Sequence, residues 1–229
     1  KGRRRENGAA AGEKIRGQPL CLSHGRKEMK VYIIRHGETQ WNAQKKLQGA
    51  SDTRLNEKGI ALARETGKAL AQIPFSCCFT SPLIRAKETA RLVLGERDIP
   101  VYEDPRIREI SFGDWEGRES SELPAQMLEY FFHHTEKYCA PEGGESLEEV
   151  CCRTRAFWED IISRKELREQ TILVATHGCA MRALLQNVYE NPSIRDFWHG
   201  KVPPNCGVNV VEVREGRAFL LEEDVVYYA

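Results

Sequence analysis

Three stretches of this chain share one pattern, and that pattern limits the fold more than any other feature. "VYIIRHG" starts at Val31, "FSCCFTSPLIRAKETARLVL" at Phe75 and "TILVATHGCAMRALLQNVY" at Thr171. Each is a short apolar run, then a polar break, then a helix-like segment. Apolar runs of about four to six residues rich in Val, Ile, Phe and Cys suit strands buried on both faces of a parallel sheet. Alternating strand and helix signals predict helices on both sides of that sheet. The expected fold class is α/β, a three-layer α/β/α sandwich with a mostly parallel central sheet.

Local signals place the other elements. Asn56 suits the N-cap of a helix over about 57–72, because its side chain can accept an orphan backbone N–H. Ser81-Pro82 reads as an N-cap followed by proline at the first helical position. "SLEEVCCRTRAFWEDIISR" spaces Leu147, Val150, Cys151, Phe157, Trp158 and Ile161 along one helical face. "GVNVVEV" and "REGRAFLL" predict a hairpin turning at Glu215-Gly216. Residues 118–146 break the alternation with helix formers, the aromatic cluster Tyr130, Phe131 and Phe132, and a Pro/Gly turn. They are expected to form a helical insertion, acting as a lid over the site or as a satellite packed on the core.

The chain's 229 residues suit one catalytic domain over 29–229. The 28 residues before it hold eight Lys/Arg and three Glu, without hydrophobic periodicity or a signal-peptide apolar region. They are expected to be a disordered basic tail, and Met29 is read as an alternative natural start. Basic and acidic residues balance at 34 each, so the main body is the acidic part and no nucleic-acid face is expected. No apolar run reaches the roughly 18 residues needed to span a membrane. Eight cysteines without a C-x-x-C pair read as buried free thiols in a reducing compartment, so a cytoplasmic location is expected.

In parallel α/β sheets, ligands sit beyond the carboxyl ends of the strands. The three polar breaks fall there: Arg35-His36-Gly37, Thr80-Ser81 leading to Arg85, and Thr176-His177-Gly178. Either histidine alone would be read first as a hydrogen-bonded structural residue. Together they bring two histidines and two arginines to one place. Arginine's planar fork matches phosphate oxygens, and helix N-termini after the strands add backbone N–H groups. The expected ligand is a phosphate group.

"RHGET", "SPLIRAKETA", "IREISFGDWEG" and "ATHG" occur in this order across most of residues 29–214, and in this the chain resembles the histidine phosphatase superfamily, the phosphoglycerate-mutase-like fold. The resemblance implies that His36 is the nucleophile that becomes phosphohistidine. It implies that Arg35, Arg85 and His177 clamp the phosphate, with Asn42 and the backbone of Gly178 beside them. Glu109 stands where the family carries its proton donor, and Gln48-Gly49 where its loop touches substrate. The physics agrees. A doubly negative monoester repels anionic nucleophiles, so His36 must attack as a neutral imidazole, while cations offset the charge. His177 would serve as a protonated donor, which requires the two histidines to differ in pKa. Glu109 must carry a proton into the first step and take one from water in the second.

Other groups near these motifs read more plainly. Glu38, Asp114 and Glu116 are expected to be structural or solvated, and Trp115 to pack or to line the pocket. Cys179 is expected to start a buried helix. His133 and His134 are adjacent and cannot face one metal together on a helix. No metal motif appears, and the clamp implies a metal-independent reaction with no cofactor.

Two reactions compete within the resemblance. Mutases of the family carry an arginine directly after the acid–base glutamate; here Ile110 takes that place and "FGDWEG" follows. That and "PEGGES" (Pro141 to Ser146) resemble the broad-specificity and α-ribazole-5′-phosphate phosphatases. The expected partner is a small-molecule phosphate monoester, and the expected reaction is its hydrolysis. Mutase-type phosphoryl transfer is the alternative. A non-catalytic phospho-ligand binder is disfavoured because nucleophile, acid and clamp are all present. Lys45 and Lys46, the only candidates for a second basic cluster, are read as a solvated loop.

Overall fold

The computed structural model describes residues 28–228; the expected disordered tail lies outside them up to residue 27, Cys21 included. One sheet of six strands carries the molecule: β1 (Met29–Arg35), β2 (Phe75–Thr80), β3 (Val101–Glu103), β4 (Thr171–Thr176), β5 (Val208–Arg214) and β6 (Arg217–Val225). Their order is β3-β2-β4-β1-β5-β6. The first four neighbours run parallel, and β5 and β6 return antiparallel. The helices are α1 (Gln40–Ala43), α2 (Glu57–Ala69), α3 (Ile84–Leu94), α4 (Ala125–His133), α5 (Leu147–Ser163) and α6 (Gly178–Leu185).

The centre of the sheet is apolar because both faces are covered. Val31 and Ile33 of β1, with Ile172 and Val174 of β4, join Phe157, Trp158 and Ile161 of α5 and Met181 and Leu184 of α6. Ile34, Leu173 and Ala175 point the other way, onto Ala63 of α2 and Ala90 and Val93 of α3. This alternation within continuous apolar strands makes the three layers. Burying each large apolar side chain of α5 contributes roughly 1.5–3 kcal/mol, and Leu147, Val150, Phe157, Trp158 and Ile161 are all buried.

Most local signals form as expected. Asn56 caps α2 by accepting from Gly59 N at 2.8 Å. Ser146 and Glu149 form a capping box at the start of α5. Glu215 and Gly216, both at positive φ, turn the β5–β6 hairpin. Two expectations change. Helix α3 starts at Ile84 rather than directly after Ser81, with Leu83 as its N-cap. The Asp52 carboxylate from another loop takes Ile84 N at 2.7 Å, and the Ser81 hydroxyl accepts from Leu83 N at 3.2 Å while also meeting His177 Nε2. The seven described cysteines are free, but they are not uniformly buried, since Cys139 and Cys152 face solvent.

Register brings the strand ends together. Arg35 pairs with Thr176 across β1–β4, and Thr80 with Ala175 across β2–β4. Beyond them, His36 N donates to Thr176 O at 2.9 Å and Ser81 N to Ala175 O at 3.0 Å. Three segments far apart in the chain thus stop at one level.

Candidate active site

The site is built at those strand ends. His36 and His177 are 1% and 0% exposed, with ring centroids 5.2 Å apart. His36 Nδ1 lies 2.7 Å from Gly37 O. A carbonyl only accepts, so Nδ1 carries the proton and the Nε2 lone pair is free. Burial, then the charges of Arg85 and Arg35, hold the His36 pKa well below its usual range. The imidazole is therefore neutral at neutral pH.

His177 departs from the protonated donor expected of it. Burial comes first, then Arg85, the neighbouring histidine and Arg35, and together they push its pKa well down as well. Nε2 sits 2.7 Å from Ser81 Oγ, while Nδ1 is buried without a partner. With the serine hydroxyl donating to Nε2, neutral His177 still presents an Nδ1–H.

The arginines are positioned by backbone carbonyls. Arg85, fully buried in α3, gives Nη1 to Ser51 O and Nη2 to Gly49 O, each at 2.6 Å. Burial draws its pKa down to about 10, so it stays charged at neutral pH. Arg35 Nη1 donates to Pro203 O. Arg35 Nε and Arg85 Nε are buried without partners, like His177 Nδ1. Leaving a buried donor unpaired costs about 1–3 kcal/mol, more when it is charged. Three such donors in one group of coupled residues are what an anion would satisfy.

Glu109 reaches the site from the segment after β3. Thr176 Oγ1 donates to Ile107 O at 2.8 Å, and Arg153 of α5 donates to the carbonyls of Arg106, Arg108 and Glu109. Glu145 orients Arg153 at 3.0 Å. So fixed, Glu109 Oε1 accepts from Ala180 N at 3.0 Å and Ile110 N at 3.1 Å, and Oε2 accepts from Cys179 N at 3.3 Å. The carboxyl caps the first turn of α6.

The substrate-side loop depends on one glycine and one glutamate. Gly49 has φ +54°, and a Cβ there would overlap the Glu116 carboxylate. Glu116 Oε1 accepts from Ala50 N at 2.8 Å and Phe112 N at 2.9 Å, so it ties the 48–52 loop to the 109–116 segment. This is the structural role expected of it. Gln48 Oε1 takes the hydroxyls of Thr39 and Thr53 at 2.6 Å each. Asn42 Oδ1 takes Thr39 N at 3.1 Å, which leaves its amide NH₂ as the donor for the cavity. A Cβ on Gly178 would meet nothing closer than Arg35 Nε at 3.5 Å; it would take up space beside an unpaired donor.

A cavity of about 200 Å³ opens over these groups and is lined by Arg35, His36, Asn42, Gln48, Gly49, Glu109 and Gly178. Arg85 and His177 lie behind it, fully buried. The segment over 118–146 contributes Leu128, Phe131 and Phe132 of α4 to the wall. Phe131 also belongs to the buried cluster that holds Met127, Leu147 and Trp198, so α4 both packs and covers. Sequence reasoning missed Trp198, Val202, Pro203 and the Ser81 hydroxyl's contact. The first three lie in an irregular loop without periodicity, and Ser81 has an equally good local reading as a cap. Burial and then Glu109 raise the Cys179 thiol pKa well above the usual value, which keeps it a protonated thiol at neutral pH. Among the described residues no three His, Cys, Asp or Glu cluster as a metal site.

Residues 31–224 match the family model of the histidine phosphatase superfamily, branch 1. The chain belongs to this superfamily. This member is 32% identical to the adenosylcobalamin/alpha-ribazole phosphatase of Salmonella typhimurium over 84% of its own length and 94% of that protein's. It is 35% identical to the 2,3-bisphosphoglycerate-dependent phosphoglycerate mutase 2 of Gloeobacter violaceus over 69% of its length and 74% of that protein's. The solved structure of Bacillus stearothermophilus YhfR superposes with a TM-score of 0.80 at 33% identity, covering 86% of this chain and 98% of the other. No helix among the described residues is long and apolar enough to cross a membrane.

The buried histidines make this superfamily member's stability depend on pH. Both have folded-state pKa values below the ordinary 6.5. Below about pH 6.5 the unfolded chain therefore binds more protons, and stability present above that pH is lost on acidification. The slope approaches about 1.4 kcal/mol per pH unit for each histidine. Thermal unfolding from about pH 7.5 to 5.5 should show a falling Tm, partly restored by inorganic phosphate; a flat Tm would contradict neutral, buried histidines.

Proposed function

We propose that this enzyme hydrolyses small organic phosphate monoesters through a phosphohistidine. The observation that carries the reading is the set of buried, unpaired donors, Arg35 Nε, Arg85 Nε and His177 Nδ1, around a neutral His36. Charges and N–H groups already fixed in a water-poor site stabilise a transferring phosphoryl group without reorganising. In this reading His36 Nε2 attacks phosphorus as the bond to the leaving oxygen breaks. Arg35, Arg85, His177 and the Asn42 amide hold the phosphoryl oxygens, with Gly178 leaving room beside Arg35. Glu109 gives its proton to the departing alcohol. A water then attacks phosphorus, Glu109 takes its proton, and the P–N bond breaks to return neutral His36 and free phosphate. Gln48 and Gly49 face the alcohol. No step calls for a metal ion or an organic cofactor, and the seven free thiols among the described residues suit a cytoplasmic location.

Water as acceptor is favoured by the surroundings of Glu109. Ile110, where a mutase-like arginine would follow the glutamate, is buried at 1% exposure. Without that cation the site holds a small carboxylated phosphoglycerate less well. The second reading, phosphoglycerate mutase-type transfer, is favoured by the similarity to the Gloeobacter protein. Steady-state assays separate the two. Phosphate release from p-nitrophenyl phosphate and a panel of metabolite monoesters should exceed isomerisation of 3-phosphoglycerate, with or without 2,3-bisphosphoglycerate. Bisphosphoglycerate-dependent isomerisation faster than phosphate release would overturn the hydrolase reading.

A further inference from the structure

Two cations of the cavity have no part in the clamp. Lys45 and Lys46 both line it, and among the described residues neither ammonium makes an ion pair or hydrogen bond. Some other surface lysines are paired, as in Lys58–Glu38 and Lys87–Glu103. The two are not a free loop either. Lys45 O accepts the Ser120 hydroxyl at 2.7 Å and Ser120 N at 3.0 Å. Lys46 N donates to Trp41 O at 2.9 Å, and Leu47 N to Arg118 O at 2.9 Å. In extended backbone, consecutive side chains point to opposite sides. Lys45 instead has φ 54°, and both lysines line one cavity.

Beside the clamp, Gln48 and Ser120, much of the wall is apolar and aromatic. Phe112, Phe131, Phe132 and Trp198 line it with Ile110 and Leu128. The rings are held edge to face: Phe131 lies 5.0 Å from Phe112, 5.0 Å from Phe132 and 5.3 Å from Trp198. Trp198 Nε1 is tied to Phe131 O at 2.6 Å. Such a wall offers ring faces and edges to a planar group and few hydrogen bonds to a polyol.

Charge matching then sets the substrate class. A monoester dianion is balanced by Arg35 and Arg85, and among the described residues Glu109 is the only acidic one lining the cavity. Lys45 and Lys46 are left over. We infer that the preferred substrate is a phosphate monoester whose alcohol part has a planar apolar ring beside the phosphate and a second anionic group at its far end. The ring packs against Phe131, Phe132 and Trp198, and the distal anion meets Lys45 and Lys46. This inference rests on the phosphomonoesterase reading above.

The test compares two esters with similar leaving groups, phenyl phosphate and 3-(4-phosphooxyphenyl)propanoate, which differ by a distal carboxylate insulated from the ring. 3-Phosphoglycerate serves as an anion without a ring. At low ionic strength the carboxylated aryl ester should exceed phenyl phosphate in kcat/KM by roughly tenfold, as two partly exposed ion pairs allow. Lys45→Ala/Lys46→Ala should bring that ratio to within about twofold of unity, and so should high salt. The aryl esters should also be hydrolysed better than 3-phosphoglycerate. If phosphate is released from both aryl esters with no preference for the carboxylated one, or with a preference that the double variant and salt leave intact, this inference falls and the phosphatase reading stands. If neither aryl ester is hydrolysed while 3-phosphoglycerate is isomerised, the phosphatase reading falls and takes the inference with it.

Discussion

His36→Ala is expected to lower phosphate release by at least about 10⁴-fold, because it removes the one group that can form the covalent intermediate. The loss should lie in kcat and kcat/KM alike. Arg35, Arg85 and His177 remain in the variant, so inorganic phosphate should still raise its Tm. That pairing separates lost chemistry from lost binding. Rapid quenching of the unaltered enzyme with substrate, followed by mass spectrometry, should find one phosphoryl group on His36 that is labile to acid. Near-normal rates in the variant, or phosphate on another residue, would show that the nucleophile lies elsewhere.

Glu109→Gln should discriminate between leaving groups. A glutamine keeps a carbonyl oxygen to accept from Ala180 N and Ile110 N, as Glu109 Oε1 does, so local structure should survive. What it loses is the proton and the weaker acceptor contact of the second oxygen with Cys179 N at 3.3 Å. For an alkyl monoester, whose alcohol leaves poorly unless protonated, kcat/KM should fall about 10²–10⁴-fold. For p-nitrophenyl phosphate it should fall far less, because that leaving group needs no acid. The same variant lacks the base for the second step, so phosphohistidine should accumulate and give a burst of p-nitrophenol before a slow steady state. Equal loss of kcat/KM for both substrates would remove Glu109 from the role of acid.

Arg35, His36 and His177 were legible because each directly follows an apolar run, and such runs become strands by local pattern alone. Arg85 follows the second such run by a few residues, whereas Glu109 has no distinctive local setting and only the order of motifs supplied it. Ser81 shows how a local rule and a distant contact share one hydroxyl, since its oxygen accepts from Leu83 N at 3.2 Å while α3 starts later, at Ile84. Its hydroxyl is a good N-cap, but 96 positions along the chain His177 offers a buried imidazole nitrogen at 2.7 Å. His177 differs from its expected charge state for a related reason, while His36 is neutral as expected. Sequence suggested two different pKa values for two different tasks, whereas one shared burial and one shared pair of arginines push both the same way. Lys45 and Lys46 looked like a solvated loop because nothing in "QKKLQ" announces a left-handed residue at Lys45 or a cavity beside it.

The amino-acid order by itself determined the strands and helices, and it set which polar residues stand at the strand ends. These follow from periodicity and capping, which act over a few residues. Only the tertiary structure decided that Arg35, Thr176 and Thr80 end at one level, that Arg153 and Thr176 hold the segment bearing Glu109, and that Phe131 and Trp198 wall the cavity. Those facts depend on register and on contacts between residues far apart in the chain. Burial, and the charge state that burial imposes on His36, exist only once those contacts have closed.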